Sequence, residues 1–319
     1  MASLPFDAEM AHYLAEQARQ QEPWGADWPL SRQRQVWEDQ CRRARARRPE
    51  RLLVEDLEVD GVHVRIFRPP GEDPKPGMLH AHGGGWTMGS CETHDDLAAE
   101  IADQADVVSV LFDYRLAPEH PHPAQVEDMA RVLDWVRSTG RAIGIDPRRI
   151  IATGDSAGGQ VAAGLALALK QEGTMPLRGL VLINPGLGAD LETPSHHRNA
   201  NAPGLSRAEM LDYLTAFLGP RDLGNWSEPT ALPNLATDVS GLPPAFITVA
   251  GHDPLHDDGV TFFAKLKAAG IPAVLREEPA LAHSYWRARH HSRAAMAGFK
   301  AIVEAVRQLG HEGLLPAQG

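Results

Sequence analysis

The pattern of apolar and polar positions divides the 319-residue chain into two kinds of sequence. The first fifty residues are polar, and their apolar positions Met10, Tyr13 and Leu14 recur at helical spacing after a predicted N-cap, Asp7. From Leu52 onward, short apolar runs bounded by turn residues predict β-strands. The predicted strands are Leu52–Val59, Val62–Phe67, Met78–His82, Val107–Phe112, Ile150–Thr153, Leu180–Ile183, Ala245–Val249 and Ala273–Arg276.

Helical patterns alternate with these strands and indicate the fold class. The predicted helices are Ala124–Ser138, Ala157–Gln171 and Gly259–Ala269. A hairpin around Asp60-Gly61, followed by this alternation, predicts an α/β fold with a mostly parallel central sheet and flanking helices. The segment 186–226 interrupts the alternation with a polar loop and an amphipathic helix that begins with a capping-box pattern, Ser206 and Glu209.

This interruption predicts one catalytic core with a helical cap. The cap is expected to comprise residues 1–51 and the insertion 186–226. The core then comprises residues 52–185 and 227–319. An amphipathic helix inserted after a strand is suited to cover the site end of the sheet.

Charge and composition exclude several classes of partner. The chain has 31 Lys and Arg against 42 Asp and Glu, a net charge of −11, which disfavours binding to nucleic acid. The basic run between Arg42 and Arg51 is expected to be a solvated helix face. Without a signal-peptide pattern or an apolar stretch of about 18 residues, we expect a cytoplasmic protein with no membrane partner. Cys41 and Cys91 fit no metal motif, and a disulfide between them stays open.

The strongest chemical signal is the stretch Gly154-Asp155-Ser156-Ala157-Gly158-Gly159. It lies between a predicted strand and a very apolar helix, which is the context of a nucleophile elbow. In such a turn the serine hydroxyl projects from the carboxyl edge of the sheet, and the helix N-terminus favours negative charge beside it. The pattern predicts that Ser156 is a nucleophile.

A second motif, His82-Gly83-Gly84-Gly85-Trp86, follows the predicted strand Met78–His82. Acyl transfer passes through an oxyanion that fixed backbone N–H groups stabilise, and glycines let the backbone approach it closely. A phosphate-binding loop is disfavoured, because no Lys-Ser/Thr pair follows and the Rossmann spacing is absent. The motif therefore predicts an oxyanion loop.

An activated serine needs a base and an acid, which follow it along the chain in this fold. Asp253 lies where the predicted strand 245–249 ends, whereas Asp257-Asp258 lies further on, where a helix start favours carboxylates anyway. His283 follows the next predicted strand. The pair His290-His291 falls in a predicted helical run beyond it and is expected on the surface.

Together these motifs resemble the hormone-sensitive-lipase-like branch of the α/β-hydrolases, the bacterial family IV carboxylesterases. The matching stretches are His80–Trp86, Asp113–Glu119, Gly154–Gly159, Asp253–Leu255 and His283. The resemblance implies cofactor-free ester hydrolysis, no metal ion, a homodimer, and a structural role for 113–119. It also implies that the oxyanion hole consists of the backbone N–H groups of Gly83, Gly84 and Ala157. Where many members have His-Gly-Phe, this chain has His283-Ser284-Tyr285-Trp286, which looks more like the acetyl esterase branch.

We therefore predict a serine carboxylic ester hydrolase that acts on short-chain acyl esters through an acyl-enzyme. Ser156 would attack, His283 would act as base, and Asp253 would orient His283. The residues expected to contact the substrate are Trp86, Asp155, Tyr285 and Trp286. The bulky rings of Trp86, Tyr285 and Trp286 would shorten the acyl pocket. Two alternatives stay open: an amidase, thioesterase or peptidase with the same catalytic residues, and a non-catalytic ligand-binding protein.

Overall fold

The computed structural model describes residues 5–20, 28–71, 74–219 and 226–317. In this part of the chain, eight strands form one sheet in the order β1-β2-β4-β3-β5-β6-β7-β8. The strands are β1 Leu53–Val59, β2 Val62–Arg68, β3 Lys75–Ala81, β4 Val108–Phe112, β5 Ile145–Asp155, β6 Leu177–Ile183, β7 Ala245–His252 and β8 Ala273–Ala282. β2 pairs antiparallel with β1 and β4, and the other neighbouring strands are parallel. The predicted α/β fold with a mostly parallel sheet is confirmed.

Helices cover both faces of this sheet. They are α1 Ala8–Gln20, α2 Leu30–Ala44, α3 Asp95–Ala105, α4 Ala124–Thr139, α5 Ala157–Gln171, α6 Pro194–Arg198, α7 Arg207–Leu218, α8 His256–Ala268 and α9 Arg293–His311. One apolar cluster joins the sheet to α4, α5 and α8, and another joins it to α3, α9 and α1. Along β5, Ile150 and Ala152 belong to the first cluster and Ile151 to the second, as the alternation of side chains along a strand requires.

Local sequence patterns correctly predict two features of the N-terminal part of the chain, the hairpin turn and the N-cap of α1. Asp60 and Gly61 both have positive φ, 48° and 82°, and form the predicted two-residue hairpin turn. Asp7 caps α1, because its Oδ1 accepts the Met10 N–H at 2.7 Å.

β8 continues six residues beyond the predicted end at Arg276. It is the last strand of the sheet, so polar residues follow in it and no apolar run indicates its length.

The predicted helix face of arginines is wrong beyond Ala44, where α2 ends. Arg48 reaches the fully buried Asp95 of α3, with 2.6 Å between Nε and Oδ2. Arg51 pairs with Asp103 on the same helix. These arginines therefore attach the segment after α2 to α3 rather than facing solvent alone.

The carboxyl ends of the parallel strands carry the candidate site, and α2 and α7 from the two predicted cap segments both contribute to its cover. Residues 1–4 and 21–27 of the first segment and 220–225 of the second lie outside the described residues. Among the helices described, none is long and apolar enough to cross a membrane. Both cysteines are free and buried.

Candidate active site

Ser156 occupies a strained turn between β5 and α5. Its φ of 56° and ψ of −120° lie outside the regions that L-residues usually adopt. The turn requires glycine on both sides: a Cβ on Gly154 would lie 2.2 Å from the Gly158 oxygen, and one on Gly158 would lie 1.9 Å from the Ala81 oxygen. The tight backbone thus fixes the hydroxyl at the carboxyl edge of the sheet, as in a nucleophile elbow.

The structure brings Ser156, His283 and Asp253 together in one chain of hydrogen bonds. Ser156 Oγ lies 2.9 Å from His283 Nε2, and His283 Nδ1 lies 2.7 Å from Asp253 Oδ2. The two partners follow β8 and β7, so three separate strand ends supply the three side chains. The alternative pair His290-His291 lies in the exposed turn before α9, not in a helix.

Buried neighbours fix the orientation and protonation of His283. Burial lowers the pKa of His283, but the charge and hydrogen bond of Asp253 outweigh it, so the pKa is raised above its usual value. Asp253 is itself held, since its Oδ1 accepts the Leu255 N–H at 2.9 Å. Asn199 donates its amide N–H to the Asp253 backbone oxygen. No sequence signal pointed to Asn199, because it follows the short helix α6 and belongs to no motif.

The rival carboxylates, Asp257 and Asp258, contact the insertion after β6 instead. Asp257 Oδ2 accepts the Ser195 N–H at 2.8 Å. Asp258 Oδ2 accepts the N–H groups of Leu187 and Gly188 at 2.7 and 2.9 Å. Burial raises the pKa of Asp258 to about 7, against these two hydrogen bonds. Both carboxylates therefore have partners of their own, and the carboxylate that contacts His283 is that of Asp253.

The oxyanion loop differs from the expectation at Gly83. The Gly83 N–H points to the side chain of Asp155, with 3.0 Å between N and Oδ1, and is not free for a ligand. The expected place of Gly83 in the oxyanion hole is therefore wrong for this geometry. Within the described residues, Gly84, Gly85 and Ala157 line the cavity and their backbone N–H groups donate to no protein acceptor. Sequence could not distinguish consecutive glycines, since the direction of each N–H depends on positive φ at Gly84 and Gly85.

Asp155 lines the cavity, but protein groups surround its carboxylate. His94 Nε2 lies 3.2 Å and His80 Nε2 lies 3.4 Å from Oδ1, in addition to the Gly83 N–H. Burial alone would raise the pKa of Asp155, yet the neighbouring histidines hold it well below its usual value. Burial also lowers the pKa of His94 to about 4. Asp155 therefore holds the oxyanion loop through these contacts, and its expected contact with substrate stays a prediction.

The segment 113–119 supports the same loop from the other side, as the resemblance implied. Tyr114 donates its hydroxyl to the His82 backbone oxygen at 2.8 Å, and the two rings stack 4.1 Å apart. The Ala117 N–H donates to the Trp86 oxygen at 2.9 Å. The loop is therefore held at both ends by buried polar contacts.

A cavity of about 830 Å³ opens beside Ser156 and His283. The residues of the helical segments that line it are Leu30, Gln33, Trp37, Gln40, Leu205, Glu209, Met210, Asp212, Tyr213 and Ala216. Tyr213 packs directly on the oxyanion loop, because a Cβ on Gly85 would lie 2.4 Å from its ring. Trp86 lines the cavity as expected, and its ring stacks on Phe217 of α7 at 4.2 Å.

Tyr285 and Trp286 lie elsewhere, so the expectation that they line the acyl pocket is not met. Both are fully buried in the apolar cluster that includes α9, and neither borders the cavity. Arg287 lines it instead and lies over the Trp286 ring, with 4.3 Å from its guanidinium carbon to the ring centroid. The short 3₁₀ turn Tyr285–Ala288 determines which side chain faces the cavity, and no sequence pattern predicted that turn.

Comparisons with known proteins agree with this architecture. A family model described as an alpha/beta hydrolase fold matches residues 78–287. Carboxylesterase NlhH of Mycobacterium tuberculosis is 42% identical over 241 residues, covering 73% of this chain and 76% of the relative. Ethyl acetate hydrolase of Pseudomonas putida is 34% identical over 252 residues, covering 77% of this chain and 78% of the relative.

Solved structures give the same result over almost the whole chain. An esterase from the bacterial hormone-sensitive lipase family superposes with a TM-score of 0.83 at 27% identity, covering 96% of this chain and 99% of that one. The matched family region contains the elbow, the glycine loop, Asp253 and His283. The chain therefore belongs to the α/β-hydrolase fold family, in its hormone-sensitive-lipase-like branch.

Proposed function

We propose that the protein is a serine carboxylesterase in which Ser156, His283 and Asp253 hydrolyse short-chain acyl esters through an acyl-enzyme. Membership of the family and the esterase names of its relatives support an ester hydrolase. The observation that carries the assignment of residues is the chain of two hydrogen bonds from Ser156 Oγ to Asp253 Oδ2, at 2.9 and 2.7 Å. A serine, an imidazole and a buried carboxylate in this order form an activated nucleophile.

The first half of the reaction acylates the serine. His283 Nε2 takes the hydroxyl proton as Ser156 Oγ attacks the ester carbonyl carbon. The negative charge of Asp253 stabilises the imidazolium that forms, consistent with the raised pKa of His283. His283 then gives its Nε2 proton to the leaving alkoxide as the carbon–oxygen bond breaks. The alcohol departs and the acyl group stays on Ser156.

Water completes the cycle in the second half. His283 removes a proton from a water molecule, whose oxygen attacks the acyl carbon. The second tetrahedral intermediate collapses, Ser156 recovers the proton from His283, and the carboxylic acid leaves. The same base thus serves both halves without a cofactor.

We propose that the backbone N–H groups of Gly84, Gly85 and Ala157 bind the oxyanion of both tetrahedral intermediates. All four residues line the cavity, but the Gly83 N–H is bound by Asp155, whereas the other three N–H groups donate to no protein acceptor within the described residues. Ala157 is also the first residue of α5, so the positive end of the helix dipole lies near the developing charge. Fixed donors of this kind typically contribute about 10²-fold to 10³-fold each to the rate.

We propose that the two segments 1–51 and 186–226 form a cap that limits acyl length. Trp37 of α2 and Tyr213 of α7 approach the oxyanion loop, at 3.2 and 2.4 Å from where Cβ atoms on Gly84 and Gly85 would lie. Trp86 and Phe217 stack within the wall behind it. The relative that hydrolyses ethyl acetate supports a preference for short acyl groups.

A panel of p-nitrophenyl esters from acetate to decanoate tests the proposal. We expect kcat/KM to be highest for acetate or butyrate and to fall for longer chains. Highest activity at eight carbons or more would contradict the short-chain assignment while leaving esterase activity intact. Matched thioester and amide substrates, hydrolysed more slowly than the ester, would separate a carboxylesterase from other acyl hydrolases.

A further inference from the structure

Three side chains of types that can bind transition metals lie close together outside the catalytic cavity, where the start of β2 meets the end of β4. His63 lies near the start of β2, Cys91 in the loop after β3, and Asp113 directly after β4. One donor atom from each lies within 4.8 Å of the other two. None of the three lines the cavity beside Ser156. Neither spacing nor motif could indicate this cluster, since residues 63, 91 and 113 meet only when the strands pair.

Hydrogen bonds of the backbone hold these donors in register. The Asp113 N–H donates to the His63 backbone oxygen at 2.9 Å. The Cys91 N–H donates to Asp113 Oδ1 at 2.5 Å, which leaves Oδ2 directed at His63 Nδ1, 3.0 Å away. The Cys91 N–H therefore holds one oxygen of the carboxylate, and the other oxygen contacts the imidazole nitrogen that would share a metal ion with it.

The outer nitrogen of His63 faces a carboxylate, the type of partner that a metal-bound histidine usually has. Its Nε2 lies 3.5 Å from Asp56 Oδ1, and Asp56 is in turn held by the Arg65 guanidinium at 2.7 Å. A histidine that binds a metal through one nitrogen usually donates its other N–H to a carboxylate. With Nδ1 on a metal, Asp56 would fix both the tautomer and the orientation of the ring.

We propose that His63 Nδ1, Cys91 Sγ and Asp113 Oδ2 form a site for a single divalent transition-metal ion, for which Zn²⁺ is the best match. Thiolate, imidazole and carboxylate are the three ligand types of zinc sites, with bond lengths of about 2.0–2.3 Å. Water would complete a tetrahedral shell, since His63 and Asp113 are each about one third exposed. On binding, the Cys91 thiol loses its proton to solvent and the sulfur–zinc bond forms, with no change in oxidation state.

Charge at the site is compatible with a cation. The nearby Arg65 guanidinium contacts Asp56, Glu92 and Asp95 at 2.7 to 2.9 Å, so its charge is more than offset. Bound metal would join β2, β4 and the loop that leads to Thr93 and His94. The site would thus stabilise the fold beside the oxyanion loop while taking no part in the esterase reaction.

Metal binding by untagged protein, freed of metal by a chelator, tests the proposal. We expect one Zn²⁺ per chain by isothermal titration and elemental analysis, and a thiolate-to-metal absorption band when Co²⁺ replaces it. The chain has two cysteines, so Cys41→Ser is the matched control. The band should persist in Cys41→Ser, which assigns the thiolate to Cys91 even where Cys91→Ser folds poorly.

Ligand variants separate this site from adventitious binding. We expect His63→Ala and Cys91→Ser to lower Zn²⁺ affinity by at least about 100-fold, and Asp56→Asn by about 10-fold to 100-fold. Absence of stoichiometric binding, a Co²⁺ complex without the thiolate band, or unchanged affinity in His63→Ala would each overturn the proposal. The assignment of Ser156 as the nucleophile does not depend on any of these outcomes.

Discussion

The loops that carry Ser156, Asp253 and His283 differ from the helices that cover them in how their side chains are fixed. Polar contacts of 2.7 to 2.9 Å join the three catalytic side chains, and a glycine-dependent turn also fixes Ser156. The cover, in α2 and α7, lines the cavity with both apolar and polar side chains, and its Trp37 and Tyr213 rings pack against the glycine loop. We therefore expect the reaction to depend on these few catalytic contacts, and changes in the cover to affect the shape of the pocket more than the reaction itself.

Removing the nucleophile should have the largest effect. We expect Ser156→Ala to lower kcat by about 10⁵-fold or more, because no other group can form the acyl-enzyme. Steady-state kinetics on p-nitrophenyl butyrate measures this, with circular dichroism as the folding control. Activity close to that of the wild type would remove Ser156 from the mechanism.

Asp253→Asn should have the next largest effect. We expect kcat to fall by about 10³-fold to 10⁴-fold, since the amide cannot stabilise the imidazolium. The raised pKa of His283 also has a consequence for pH. Because the base must be neutral, wild-type kcat/KM should rise with pH through a midpoint above the usual histidine value.

The pH profile of the Asp253→Asn variant sharpens this prediction. Removing the carboxylate leaves burial as the main influence on His283, and burial lowers its pKa. The rising limb should therefore move to lower pH than in the wild type. A limb at the same pH in both proteins would show that Asp253 does not set the pKa of the base.

Asp155→Asn tests whether this carboxylate holds the oxyanion loop or contacts the substrate. We expect kcat to fall by about 10-fold to 100-fold with little change in KM, because the loop loses the charge that attracts His80 and His94. The variant should remain folded by circular dichroism. A rise in KM at constant kcat would instead support the direct substrate contact that the sequence suggested.

Changes in the cover should be the mildest. We expect Tyr213→Ala to raise the ratio of kcat/KM for hexanoate over acetate esters by about 3-fold to 10-fold, because the ring leaves space above Gly85. Tyr213→Phe keeps the ring and is the matched control. An unchanged acyl preference in Tyr213→Ala would show that α7 does not limit acyl length.

Local sequence patterns predict where the catalytic residues lie along the chain, but not the direction in which each neighbouring group points. The elbow, the glycine loop and the order of Ser156, Asp253 and His283 follow from local patterns, each directly after a strand. The directions in which backbone N–H groups and side chains point did not follow from those patterns. Gly83 binds Asp155, and Tyr285 faces the core, because each direction depends on a turn whose dihedral angles the residue types do not determine.

Contacts between segments far apart in the chain could not be predicted from the sequence either. The arginines after Ala44 pair with α3, and Asn199 binds the backbone of Asp253, across 54 positions in the chain. Such pairings depend on how segments pack in three dimensions. Periodicity within one segment carries no information about them.

Covalent trapping tests the assignment of the nucleophile most directly. Diethyl p-nitrophenyl phosphate reacts with an activated serine, and peptide mass spectrometry identifies the modified residue. We expect one phosphoryl group per chain, on Ser156, with complete loss of esterase activity and no labelling of Ser156→Ala. Labelling at another residue, or full inactivation without modification of Ser156, would contradict the Ser156, His283 and Asp253 mechanism.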